Sequence, residues 1–151
     1  RLGYLKALKS YYAEHLASIC SDCNTRYQRN LLRLLDCKND TCQSYILDAP
    51  HSVDHICGVC KDHWEALKGH LNLLGIPFAI DHRLVRCLDY YTRTVFELQP
   101  IDEGGQSTLA GGGRYDGLVK MLGGSEDVPA VGFAINVDSL LSSVNSPDST
   151  A

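Results

Sequence analysis

The stretch Trp64-Glu65-Ala66-Leu67-Lys68-Gly69-His70-Leu71-Asn72-Leu73-Leu74-Gly75-Ile76-Pro77-Phe78-Ala79-Ile80 decides the fold class. Up to Gly75, the apolar residues Trp64, Leu67, Leu71 and Leu74 recur three and four apart, which is one face of a helix. Gly75 is a natural C-terminal stop. Beyond it Ile76 to Ile80 is short and apolar, which predicts a strand, with Pro77 near an edge or a strand start. The period of the chain therefore changes at Gly75.

Working back from Gly75, the helix of the quoted stretch is expected over residues 52 to 74. Asp48-Ala49-Pro50-His51-Ser52 reads as a turn and a helix start. A short helix is expected from Thr41 to Leu47, and a turn of helix within Asn24 to Leu32. Leu5, Leu8, Tyr12 and Leu16 predict a helix over residues 2 to 17. Working forward, Tyr90 to Leu98 is dense in aromatic and β-branched residues and reads as a strand. Asp102-Glu103-Gly104-Gly105 is a hairpin turn signal. Ser107 to Ala110 returns as the partner strand and Gly111-Gly112-Gly113 ends it. Tyr115 to Leu122 resumes as helix, Val128 to Ile135 as strand, and Val137 to Ser143 as a last helix. Helices first and an antiparallel sheet afterwards is the α+β class.

Composition bounds the function. Hydrophobic residues make up 44% of the 151-residue chain and charged residues 21%, as in an ordinary globular protein. A net charge of −4 argues against a general nucleic-acid coat, which carries a basic excess. No apolar run reaches the ~18 residues of a membrane span. Arg1 to Lys6 lacks the apolar centre of a signal peptide and starts inside a helical pattern, so we expect a cut end and a cytoplasmic protein. Residues 142–151 read as a polar, flexible tail.

Two segments concentrate chemistry. Arg86, Asp89, Tyr90, Tyr91 and Arg93 set charge and phenols on a loop feeding a strand. That suits a pocket for a small polar ligand, and it also suits a solvated loop with half-buried tyrosines. Gly111, Gly112 and Gly113 leave the backbone open to close approach by a ligand carboxylate or anion. They suit a flexible turn as well. Neither the P-loop nor the dinucleotide G-x-G-x-x-G spacing is present.

These residues carry a resemblance. Leu84-Val85-Arg86-Cys87-Leu88-Asp89-Tyr90-Tyr91-Thr92-Arg93-Thr94-Val95-Phe96-Glu97 resembles the histidine-binding signature of the histidyl-tRNA synthetases, L-V-R-G-L-D-Y-Y-x-R-T-V-F-E, departing only at Cys87. Ala110 to Leu118 is similar to their second signature, A-G-G-R-Y-D-G-L. Val128 to Ala134 resembles the start of class II motif 3, and Leu31 to Lys38 the helical insertion of bacterial members. The resemblance implies a Cys-rich helical insertion at residues 1–75 and the C-terminal part of a class II catalytic core at residues 76–141. It implies a ligase that activates histidine with ATP and Mg and passes it to tRNA-His, in a homodimer. Arg86 matches the arginine that meets the substrate carboxylate and α-phosphate. Tyr90, Tyr91, Gly111, Gly112, Gly113 and Tyr115 match the histidine pocket. For Arg93, Glu97 and Asp116 a structural role stands beside a catalytic one. Motif 3 departs from the family's G-F-A-x-G-x-E-R: Asn136 stands for its Gly and Ser139 for its ATP-clamping Arg. On this reading the chain alone is inactive.

Seven cysteines add a separate expectation. Cys20-Ser21-Asp22-Cys23 and Cys57-Gly58-Val59-Cys60 are two C-x-x-C knuckles, and four thiolates can close a tetrahedral structural zinc site. Their separation exceeds the common ~15–20 residues. Cys37 and Cys42 lie between and can replace one pair, and free thiols are the alternative. Cys87 is expected to bind no metal. Two other functions compete with the ligase. One is the synthetase-like regulatory subunit of ATP phosphoribosyltransferase, favoured by the altered motif 3 and disfavoured by the nearly intact Leu84 to Glu97 signature. The other is a metal-stabilised binding module.

Overall fold

Helices form in the first half where the sequence offers caps and an apolar stripe. In the computed structural model, which describes residues 2–86, 90–100 and 108–144, α1 spans Leu2–Ala13, α2 Ser21–Arg29, α3 Asp40–Leu47 and α4 Gly58–Leu73. Short 3-10 turns lie at Leu31–Leu34 and Ser52–His55. In α1 the buried face is Tyr4, Leu8 and Tyr12, spaced by four as a helix requires. The helix stops at Ala13, short of the expected residue 17, but Leu16 still packs on the core from the following turn. Asn39 starts α3: its side-chain oxygen accepts the Thr41 N–H at 3.0 Å, with Asp40 in the first turn. A cap and an acidic first turn both favour a helix N-terminus.

The expected helix over residues 52–74 divides. Ile56 and Cys57 are extended, and Cys57 becomes the N-cap from which α4 restarts at Gly58. The stop at Gly75 follows the sequence reading. Gly75 takes φ +66°, a left-handed conformation that favours glycine. Its N–H donates to Asn72 and the Ile76 N–H to the Leu71 carbonyl, the double closure of a Schellman motif. Beyond it Ile76 to Ile80 is exposed and not a strand. Its apolar side chains promised a strand, but a strand needs a partner ladder for its backbone groups, and Pro77 has no N–H to give one.

Two compact units result, Arg1–Cys87 and Leu88–Ala151. The core of the first is Tyr4, Leu8, Tyr12, Ile19, Cys23, Leu34, Leu35, Cys37, Cys42, Ile46 and Ala49. None of the residues of α4 is buried.

The second unit is a three-stranded antiparallel sheet, β1 (Thr92–Leu98), β2 (Ala110–Arg114) and β3 (Val131–Ile135), in the order β1-β2-β3. α5 (Leu118–Met121) and α6 (Val137–Val144) follow β2 and β3. This is the expected α+β class. The glycine run corrects the sequence reading: Gly111, Gly112 and Gly113 do not end a strand but form the buried centre of β2. A Cβ on Gly112 would come within 2.6 Å of the Phe133 Cβ, and one on Gly113 within 2.5 Å of the Thr94 carbonyl oxygen. Glycine is thus selected here by the closeness of both neighbouring strands, not by a turn. The helix expected over Tyr115 to Leu122 shortens to α5, and the strand over Val128 to Ile135 shortens to β3. The proposed turn at Asp102 to Gly105 and the tail from residue 145 lie outside the described residues. Val131, Phe133 and Ile135 of β3 and Val137, Leu141 and Val144 of α6 are exposed. No described helix is long and apolar enough to cross a membrane.

Candidate functional site

One cluster of interest lies on the sheet. Arg93 takes φ +61°, unusual for a residue with a Cβ, where the β1–β2 register shifts between Thr92 and Val95. Such a bulge re-aims the residues at the strand's start. There Tyr91 lies against β2: a Cβ on Gly113 would sit 2.8 Å from the Tyr91 ring. Across the register from Gly113 is Gly132 of β3, and a Cβ there would meet the Tyr115 hydroxyl and lie 3.3 Å from its ring. Residues directly opposite in an antiparallel pair share a face. Tyr91 and Tyr115 therefore cover one face of the glycine floor. Their ring centroids are 6.4 Å apart, and Tyr90 joins them at 4.7 Å from Tyr91 and 5.8 Å from Tyr115. The structure thus brings Tyr90, Tyr91 and Tyr115 together beside Gly113 and Gly132; Gly111 shares the face of Gly113, while the missing side chain of Gly112 faces Phe133 on the other side.

Asp116 fixes the end of this floor. Its Oδ2 accepts from Arg114 Nε at 2.8 Å and its Oδ1 from the Ala130 N–H at 3.1 Å. Its own N–H donates to Thr92 Oγ1 at 3.2 Å, and its carbonyl accepts the Val128 N–H at 2.8 Å. One residue so joins the starts of β1 and β3 to the end of β2. The Arg114 hydrogen bond, with that of Ala130, holds the Asp116 carboxyl below its ordinary pKa. This is a structural task, and Thr92 is a partner that sequence reasoning missed. Glu97 is similarly engaged, accepting from Thr108 Oγ1 at 3.1 Å.

Arg86 is half-buried and ends the described part of the first unit. Cys87, Leu88 and Asp89 lie outside the described residues. At the altered motif 3, Asn136 caps α6: its Oδ1 accepts the Ser139 N–H at 3.1 Å and its carbonyl the Leu140 N–H at 3.0 Å. Asn is well suited to that place. Ser139 occupies the first turn of the helix.

A second cluster lies in the first unit. The sulfurs of Cys20, Cys23, Cys37 and Cys42 all lie within 4.8 Å of one another. Cys20 Sγ is 3.8 Å from Cys37 Sγ, and Cys42 Sγ is 3.9 Å from Cys23 Sγ. This revises the expected ligand set: Cys20 and Cys23 meet Cys37 and Cys42, while Cys57 and Cys60 lie outside the group. The physical reason is local. Cys57 is the exposed N-cap of α4, whereas the turn after Leu34 and the first turn of α3 carry Cys37 and Cys42 into the core. Backbone N–H groups point at three of these sulfurs: Cys23 N–H at Cys20 (3.4 Å), Cys20 N–H at Cys42 (3.3 Å) and Asn39 N–H at Cys37 (3.4 Å). The Cys23 N–H lowers the pKa of Cys20, and burial raises those of Cys23 and Cys37. The Cys60 backbone N–H likewise lowers that of Cys57.

Comparison with known proteins follows the same lines. The family model described as histidyl-tRNA synthetase matches residues 3–140. A histidine–tRNA ligase of Dehalococcoides mccartyi is 52% identical over 141 residues, 93% of this chain and 34% of the relative. One from Thermotoga petrophila is 55% identical, over 93% of this chain and 33% of its own length. The crystal structure of apo S. aureus histidyl-tRNA synthetase superposes with a TM-score of 0.64 at 35% identity, covering 95% of this chain and 34% of that one. The chain spans about a third of the length of the curated relatives it matches.

Proposed function

The chain belongs to the histidyl-tRNA synthetase family, and from that premise we propose that it forms the histidine-facing part of a histidine–tRNA ligase. The observation that carries the reading is the pair Tyr91 and Tyr115 lying over the floor of Gly113 and Gly132. The two phenols pack on this bare backbone, and their edges and hydroxyls offer contact and hydrogen bonds to a flat, polar side chain such as imidazole beside them.

In the proposed reaction the histidine carboxylate attacks the α-phosphate of Mg-bound ATP, giving histidyl-adenylate and pyrophosphate, and a hydroxyl at the 3′ end of tRNA-His then takes the histidyl group, releasing AMP. Arg86 is assigned the developing negative charge at the α-phosphate. A fixed guanidinium stabilises such charge most where water is excluded. Tyr90, Tyr91, Tyr115 and the glycine floor orient the amino acid so that attack is close to unimolecular. Asp116 and Thr92 are positioning residues that hold the floor. The exposed apolar side chains of β3 and α6 form a surface suited to burial against further catalytic-core sequence, which supports reading the chain as one part of a larger catalytic core and homodimer.

Alone, the 151-residue chain is proposed to be inactive. ATP must be held bent, and the family's motif 3 arginine for that task is Ser139 here. Losing a charge-assisted donor of this kind costs on the order of 10²–10³ in rate. A second reading, the regulatory paralogue of ATP phosphoribosyltransferase, is favoured by Asn136 and Ser139. Histidine-dependent ATP–pyrophosphate exchange separates the two. The chain by itself is expected to show none. Activity is expected when the chain carrying Ser139→Arg is combined with the preceding catalytic-core segment, and Arg86→Ala should abolish it. Exchange by the chain alone would refute the assignment of inactivity, and failure of the reconstituted core would favour the paralogue.

A further inference from the structure

We infer that Cys20, Cys23, Cys37 and Cys42 form a structural tetrathiolate zinc site that holds the core of the first unit together. A Zn–S bond of about 2.3 Å in a tetrahedron implies sulfur–sulfur edges of roughly 3.8 Å. The observed pairs at 3.8 and 3.9 Å, with every sulfur within 4.8 Å of the others, approach that figure before any ion is placed. They are far from the ~2.05 Å of a disulfide, and all four are free thiols.

Three further features point to a cation. Backbone N–H groups face three of the sulfurs. A neutral thiol is a weak acceptor, whereas a metal-bound thiolate accepts such bonds well, and they orient the ligand. Cys23, Cys37 and Cys42 are buried and Cys20 half-buried, so the site is closed to substrate, as structural zinc sites are. An all-sulfur tetrahedral set selects zinc or iron–sulfur chemistry over harder cations. Sulfurs this close leave no space for a multi-iron cluster, and zinc is the assignment.

The position in the fold gives the role. The ligands come from the N-cap and first turn of α2, from the turn after Leu34, and from the first turn of α3. Three of them belong to the buried core itself. A small core of this kind gains from a metal that ties its loops. Because such a site does not exist in an unfolded chain, metal binding and folding of this unit are coupled.

The test uses the full 151-residue chain and is independent of the ligase reading. Elemental analysis of protein purified without added metal should find about one zinc per chain. Alkylation followed by mass mapping should then show Cys57 and Cys60 modified rapidly and Cys20, Cys23, Cys37 and Cys42 protected, with protection lost on adding a chelator and regained with zinc. The Cys57→Ser/Cys60→Ser variant should keep its zinc. Cobalt substituted for zinc should give the intense ligand-field bands and thiolate charge transfer of a tetrahedral four-sulfur site. Because Cys42 is part of the buried core, Cys42→Ser does not separate loss of metal from loss of fold, and the mapping on unmodified protein decides the matter. Absence of bound zinc, bound iron in its place, or loss of zinc from the Cys57→Ser/Cys60→Ser variant would each overturn the assignment.

Discussion

Gly113→Ala tests whether the glycine floor is imposed by its neighbours. The added Cβ would stand 2.5 Å from the Thr94 carbonyl oxygen and 2.8 Å from the Tyr91 ring, where real Cβ atoms essentially never approach under 3.0 Å. β1 must therefore move by at least half an ångström from β2, or Tyr91 must leave its place. Neither is a flexible side-chain tip that gives way at little cost. Overpacking of this sort costs about 1–3 kcal/mol, partly offset by the ~0.4–1 kcal/mol that alanine gains over glycine through the unfolded chain. A net loss of about 1–2 kcal/mol follows, equivalent to a roughly five- to thirty-fold fall in the folded/unfolded ratio. Amide hydrogen exchange reads this locally: protection of Gly112 and of Val131 to Ile135 should fall by that factor. Unfolding followed by Trp64 fluorescence, which reports the first unit, should stay unchanged. Unaltered or increased protection in β2 and β3 would refute the close-approach argument.

Other substitutions separate the remaining causes. Gly69 lies inside α4 with nothing near its absent Cβ, so Gly69→Ala should stabilise α4 by about 1 kcal/mol, seen as a higher urea midpoint by Trp64 fluorescence. Asn39→Ala removes the α3 cap and should destabilise the first unit by about 1 kcal/mol, read by thermal unfolding. Asp116 has a depressed pKa, so its contribution is whole above the ordinary carboxylate value of about 3.9 and is lost as pH falls through its lower folded value. Acid unfolding of the second unit should accordingly lose part of its pH dependence in Asp116→Asn, as measured by circular dichroism from pH 7 downward.

Much of the local structure was legible because its causes are local. The Gly75 stop needs only a left-handed residue after an apolar stripe, and α3 begins within a residue of its expected start. The glycine run was misread because glycine's local signal is a turn; only the nearness of Thr94, Tyr91 and Phe133 makes Gly112 and Gly113 strand residues. Ile76 to Ile80 failed for the opposite reason, since strand propensity without a partner ladder does not make a strand. The two C-x-x-C knuckles looked like a pair by spacing alone. Which sulfurs meet depends on how the turn after Leu34 folds against α2, and Cys37 and Cys42 carried the only local hint, a second close spacing. The signatures contain the phenols of the tyrosine cluster and Gly113 beneath Tyr91. They did not identify Gly132 as the floor beneath Tyr115, because that depends on the register of β2 with β3.

The most direct test of the account is an L-histidine titration of isotopically labelled chain by amide NMR. The account predicts weak, saturable binding, with a Kd in the millimolar range or about −4 kcal/mol. Shifts should centre on Tyr90, Tyr91, Gly111 to Gly113 and Tyr115, and should weaken in Gly132→Val, whose side chain would displace Tyr115. No saturable shift at those residues, or shifts confined to the first unit, would contradict the assignment of this sheet to histidine.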